Sequence, residues 1–189
     1  MYLQGKYYHV YNRGCNRLPI FFKDENYRFL IQKFIDTIGK YNIDIFAYCL
    51  MPNHYHLLVR QNSDISISKW LKTVFNGYSQ AINKQENRKG TIFEGRAKNR
   101  EITSEKHIMH LIRYIHYNPV YAGIVTKAEK WEFSDYSDWI GIRKNKLFNN
   151  HLLEQYFDNH KSYKIFFENY EGSQKITNEF TNILFDANI

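Results

Sequence analysis

Residues that staple or interrupt a chain are scarce here: there are two cysteines and three prolines in 189 positions. Cys15 and Cys49 cannot build a disulfide-rich scaffold or a four-cysteine zinc site, so reduced intracellular thiols are the expectation. With so little proline, and with 43% hydrophobic and 24% charged residues, neither a collagen-like nor a disordered chain fits. No stretch approaches the roughly 20 apolar residues of a membrane span, and the opening MYLQGKYYHV has no apolar leader core. A secreted or membrane-spanning protein is therefore not expected. The length suits one domain with a substantial core, or one domain plus a short extension.

Acids are the other shortage. Nineteen Asp and Glu face 26 Lys and Arg, a net charge of +7 before histidine is counted. Residues 145–189 hold four lysines and six acids, which leaves 22 basic and 13 acidic residues in 1–144, so the first part alone carries +9. A basic globular body points to a polyanion as partner, and nucleic acid is the commonest one.

Hydrophobic spacing gives the order of elements. Residues 7–12, aromatic and β-branched, read as a strand, followed by a turn at 13–16. Asp24 is a candidate cap for a helix over 25–41, where Phe29, Leu30, Phe34, Ile38 and Tyr41 recur at helical spacing. Residues 43–50 and 54–59 read as strands separated by Pro52 and Asn53. A second helix begins near Ser68, with Trp70, Leu71, Val74, Phe75, Tyr78 and Ile82 on its apolar face, and NKQENRKG ends it. Residues 91–96 are a short strand candidate. Ser104 is a candidate cap for a helix expected to stop before Pro119. From about residue 146 the chain is aromatic-rich and reads as helical. This arrangement predicts an α+β sandwich with helices covering one face of an antiparallel sheet, most simply a ferredoxin-like core. The boundaries expected are a domain over 1–144 and a C-terminal extension over 145–189.

The chemistry concentrates in two segments. In the strand of CLMPNHYHLLV, His54 and His56 point to one face while Tyr55 and Leu57 point to the other, so two imidazoles can converge on one ion. On the helix ending near Pro119, His107, Leu111, Tyr114 and Asn118 recur every three or four residues, beside an apolar strip of Ile108, Ile112 and Ile115. If that polar strip looks toward the histidines, Asn118 can add an amide oxygen and Tyr114 a hydroxyl. Phosphodiester cleavage needs such a set, namely an aligned nucleophile and a positive centre on the non-bridging oxygens. Imidazole and amide-oxygen ligands with open positions suit Mg²⁺ or Mn²⁺, without excluding zinc. The competing reading of the histidines is an alternating strand whose His side chains are solvent-facing or hydrogen-bonded, and that of Tyr114 is a core or interface aromatic.

These segments resemble a known family. MPNHYHLL is similar to the His-hydrophobic-His motif of the HUH endonucleases, and RYIHYNPVYAG to the tyrosine helix of single-tyrosine insertion-sequence transposases. The closer resemblance is to the REP-associated tyrosine transposases, in which elements like YHVYNRG, MPNHYHLLV, GTIFEGRAKNR, Y-I-x-x-N-P-V-x-A-G and WEFSDY occur in this order. It covers about residues 5–140. The resemblance implies a ferredoxin-like HUH core, a bacterial cytoplasmic setting and single-stranded or hairpin DNA as partner, commonly with a homodimer. It also implies metal-dependent strand transfer through a 5′-phosphotyrosine. Carried over, the metal ligands are His54, His56 and Asn118 and the nucleophile is Tyr114, with Tyr117 the second choice. Asn118 stands where mobile insertion-sequence relatives often carry Gln, and Ala97 where relatives often carry an aromatic residue.

For DNA contacts the candidates are Arg13 and Arg17, flanking the first turn, and Arg96, Lys98 and Arg100 in GRAKNR; Asn12 and Asn16 could read bases or make turns. Three other functions stay open. One is a domesticated member that still nicks DNA without moving an element, and another is a domesticated or catalytically weak hairpin-binding protein. The third, ignoring resemblance, is an RNA-binding sheet, although no aromatic pattern of that kind stands out.

Overall fold

The computed structural model describes residues 2–169. The chain runs through β1 (Tyr7–Arg13), α1 (Asp24–Tyr41), β2 (Ile43–Met51), β3 (His54–Gln61), α2 (Ile67–Gln85) and β4 (Lys98–Ile102). The helices α3 (Glu105–Tyr121), α4 (Tyr136–Trp139), α5 (His151–Tyr156) and α6 (His160–Glu168) follow. The four strands make one sheet in the order β2-β3-β1-β4, with every neighbouring pair antiparallel. Two interleaved strand–helix–strand crossovers of this kind are the ferredoxin-like core expected for the α+β class. Among the described residues no helix is long and apolar enough to cross a membrane.

Helices cover both faces of the sheet, not one as the sequence pattern predicted. α1 and α2 pack with Tyr8, Val10, Tyr55, Leu57 and Val59, whereas α3, α4, α5 and α6 pack with Ala47, Cys49, Met51 and Leu58 on the opposite face. The cause lies in β2 and β3, which are buried almost without alternation because they are the strands covered on both sides. A register shift between Ile45 and Ala47 brings Phe46 and Ala47 into the same cluster beside α3.

Three further expectations are corrected. The short strand forms at Lys98–Ile102, not at 91–96; Ile92 and Phe93 are buried instead as loop anchors, Ile92 accepting from the Cys15 amide and Phe93 bridging Gly14. Helix α3, capped by Ser104 as expected, continues through Pro119 to Tyr121. A proline in the last turn removes one hydrogen bond, and the end is rebuilt by the Ala122 amide donating to the Asn118 carbonyl and that of Gly123, at φ +68°, donating to Val120. Helices α1 and α2 each start one residue earlier than predicted, at Asp24 and Ile67, so that Lys23 and Ser66 are the caps.

Residues 131–135 shield the outer edge of β2. The Leu50 amide donates to the Phe133 carbonyl, the Asp135 amide to Tyr48, and the Trp131 indole to Leu50. The chain beyond 144 joins the same core through Leu147, Leu152, Leu153, Tyr163 and Phe167. Residues 170–189 of the expected extension lie outside the described residues.

Candidate functional site

The two-residue period of β3 puts His54, His56 and Leu58 on the face covered by α3. The His54 and His56 rings lie 5.2 Å apart, centroid to centroid, nearly perpendicular. Tyr114 lies edge-on to His56 at 5.3 Å. One turn further along α3, Asn118 donates from Nδ2 to the Tyr114 carbonyl at 2.9 Å, and its side chain reaches the His54 ring closely enough to act on its protonation. His54, His56, Asn118 and Tyr114 thus meet between β3 and α3. Tyr117, about 60° further round the helix, packs against Phe167 at 5.9 Å, in the C-terminal cluster.

Electrostatics keep these imidazoles neutral. Burial pushes His54 down to about 4, against the opposing effect of the Asn118 side chain, and pushes His56 well below the usual histidine range with help from its two histidine neighbours. A neutral ring has a lone pair to offer a cation. His54 uses Nδ1 on the Asn53 side chain at 2.7 Å, and His56 Nε2 is buried with no hydrogen-bond partner among the described residues. Among the described residues no group of three or more His, Cys, Asp or Glu is arranged to hold a metal ion. A cation here would need the mixed set of two imidazoles and an amide oxygen. The orphaned His56 nitrogen fits that set, and its few protein ligands suit Mg²⁺ or Mn²⁺ with water completing the shell.

Sequence reasoning missed His9. It lies on β1, fully buried, with Nε2 2.9 Å from His56 Nδ1 and its ring stacked on His56 at 5.1 Å and on Tyr11 at 4.8 Å. Burial and the nearby Arg100 lower its pKa to about 3. Nothing local marks it, because its partner is 47 residues away in the chain.

A second missed feature holds α3. His116, between Tyr114 and Asn118, is fully buried; its Nε2 lies 2.9 Å from Asp135 Oδ1, and its Nδ1 meets the Tyr163 hydroxyl. Asp135 also accepts from the Tyr48 amide at 2.8 Å and the Trp139 indole at 3.2 Å. Asp135 belongs to WEFSDY and Tyr163 to α6, so both segments grip the helix that carries Tyr114 and Asn118.

The basic candidates divide by position. Lys98 and Arg100 on the edge strand β4 pair with Tyr11 and His9 of β1, which puts them on the histidine face. Arg96, with Asn12 and Asn99, lines a cavity of about 580 Å³ on the α2 side. Arg17 and Asn16 are exposed in the turn after β1, both at positive φ. Arg13 is ion-paired with Glu94. Asn12 is engaged by backbone, accepting from the Arg13 amide and donating to Gly95.

Comparison with known proteins identifies the family. Residues 3–118 match the family described as "Transposase IS200 like". A protein of Haemophilus influenzae named "Putative REP-associated tyrosine transposase" is 31% identical over an alignment of 111 residues that covers 53% of this chain and 62% of that protein's length. The solved structure of a REP-associated tyrosine transposase bound to a REP hairpin superposes with a TM-score of 0.63 at 18% identity, covering 79% of this chain and 94% of that one, a likeness of fold. The chain belongs to the IS200-like HUH transposase family, and within it the likeness is to the REP-associated tyrosine transposases.

Proposed function

We propose that the protein cuts and rejoins single-stranded DNA at hairpin-forming repeats, with Tyr114 as nucleophile and His54, His56 and Asn118 holding Mg²⁺ or Mn²⁺. The observation that carries this reading is the packing of Tyr114 against His56 while Asn118, one turn on, reaches His54. Tyr117, the second choice from sequence, is engaged with Phe167 instead.

The bound cation would polarise the non-bridging oxygens of the scissile phosphate. Tyr114 Oη would form a bond to phosphorus as the P–O3′ bond breaks; the tyrosine gives up its proton and the departing 3′-oxygen takes one. The product is a 5′-phosphotyrosine and a free 3′-hydroxyl, whose return attack rejoins strands without an external energy source. The buried His116–Asp135–Tyr163 group holds Tyr114 in register during both steps.

DNA would approach the β4 edge, where Lys98 and Arg100 share the site's face, with Arg17, Arg96 and Asn16 further out. Arg13 would have to exchange its Glu94 partner for a phosphate, and Asn12 would act through the turn it builds. A fold relative carrying a REP hairpin supports hairpin DNA as the substrate. All four site residues come from one chain, so a homodimer would serve to hold two DNA ends and not to complete the chemistry.

The test is incubation with labelled hairpin oligonucleotides in Mn²⁺, Mg²⁺ or EDTA, followed by denaturing electrophoresis. A cation-dependent protein–DNA band lost in Tyr114→Phe and His56→Ala is expected. Hairpin binding by the folded protein with no covalent product in either cation would contradict cleavage and leave a hairpin-binding protein.

A further inference from the structure

We propose that His9 is a positioning residue that fixes the tautomer and ring orientation of His56, so that His56 Nε2 presents its lone pair to the cation. The inference rests on the reading of His54, His56 and Asn118 as a cation site.

Packing alone does not ask for an imidazole at position 9. The side chain is fully buried in an aromatic column, stacked on Tyr11 at 4.8 Å and on His56 at 5.1 Å, with Tyr114 at 6.4 Å. A phenyl ring would fill the same space without carrying buried nitrogen. Burying a polar nitrogen is unfavourable unless it is bonded, and His9 Nδ1 has no hydrogen-bond partner among the described residues. What the imidazole contributes is Nε2, 2.9 Å from His56 Nδ1.

That bond decides which nitrogen of His56 is free. Between two neutral imidazoles one ring donates and the other accepts. When His56 donates from Nδ1, its Nε2 bears the lone pair and can coordinate. When His9 donates instead, His56 Nε2 bears hydrogen and cannot. Since His56 Nε2 is buried with no hydrogen-bond partner among the described residues, a cation there selects the first arrangement, with His9 Nε2 as the acceptor that sustains it. Ligating histidines commonly donate their second N–H to a fixed acceptor, and losing such an acceptor weakens binding by about 10- to 100-fold. The near-parallel stacking, 21° between planes, holds the rotation of the His56 ring as well.

The experiment measures Mn²⁺ affinity by electron paramagnetic resonance for the wild type, His9→Phe, His9→Gln and His56→Ala. In parallel, long-range ¹H–¹⁵N correlation locates the His56 ring proton in Mg²⁺-saturated protein. The expected results are a His56 proton on Nδ1, about 10- to 100-fold weaker Mn²⁺ binding in His9→Phe, and recovery in His9→Gln, whose amide oxygen can accept. Folding of each variant is checked by its unfolding midpoint. Binding by folded His9→Phe within about twofold of the wild type, while His56→Ala binds nothing, overturns the role of His9 and leaves the cation site standing. A wild-type His56 proton on Nε2 overturns it even if His9→Phe does not fold. Equal Mn²⁺ binding by the wild type and His56→Ala removes the cation site, and the inference with it.

Discussion

Asp135→Ala tests how the tyrosine helix is held. Asp135 is 2% exposed and accepts from three buried donors: the Tyr48 amide at 2.8 Å, His116 Nε2 at 2.9 Å and Trp139 Nε1 at 3.2 Å. Trp139 keeps a second acceptor in the Phe46 carbonyl at 3.2 Å, whereas the Tyr48 amide and His116 Nε2 lose theirs inside the core. Each orphaned buried donor costs about 1–3 kcal/mol, so the substitution should cost about 2–6 kcal/mol. That agrees with the roughly 3–5 kcal/mol seen when a buried pair loses one partner. Against a total stability of about 5–15 kcal/mol the loss is large. For a chain of this size it should lower Tm on the order of 10 °C. Urea and thermal unfolding measure it, with Arg28→Ala as a control: Arg28 and Glu132 form an exposed pair, and its removal should leave the midpoint unchanged. At a temperature where Asp135→Ala is folded, its rate of covalent attachment should still fall, because His116 sits between Tyr114 and Asn118. An Asp135→Ala protein with the urea midpoint and attachment rate of the wild type would refute the argument.

Three further outcomes follow from the geometry. Tyr117→Phe should retain covalent attachment at close to the wild-type rate, measured on the same gels; loss comparable to Tyr114→Phe would mean the wrong tyrosine has been assigned. Lys98→Ala and Arg100→Ala should each weaken hairpin binding and lower the slope of log K against log salt by about 0.7–0.9, and unchanged slopes would place the DNA elsewhere. Burial lowers His9 to about 3 and His54 to about 4 and pushes His56 well below the usual histidine range, whereas all three titrate near pH 6.5 when unfolded. Between about pH 4 and 6.5 the unfolded chain therefore binds more protons, so stability is fully present above about pH 6.5 and is lost as pH falls, by up to about 1.4 kcal/mol per unit for each histidine. Urea midpoints that stay flat from pH 5 to 7 would contradict burial of neutral rings.

Much of the fold was legible because its signals are local. The aromatic and β-branched composition of β1, the helical spacing of α1 and α2, and Ser104 as a cap each depend on residues within one element. β4 was misplaced because Ile92 and Phe93 look more strand-like than KNREI, yet the edge strand is polar because it is largely exposed, and the apolar pair is buried as a loop anchor. The second helical layer has its signal in the apolar run 45–51 of β2, which a sheet covered on one face does not require. Within the site, the motif spacing placed His54 beside His56 and Tyr114 beside Asn118, but their meeting depends on how α3 docks on the sheet. His9 and the His116–Asp135–Tyr163 group were invisible for the same reason. Each pairs residues from separate elements, 47 positions apart for both His9–His56 and His116–Tyr163.

The most direct test of the central claim is to isolate the covalent protein–DNA product formed with Mn²⁺, digest protein and DNA, and locate the nucleotide-bearing peptide by mass spectrometry. The account predicts a single modified residue, Tyr114, linked through a 5′-phosphate. A nucleotide on Tyr117 or any other residue, or a product linked through a 3′-phosphate, would contradict it.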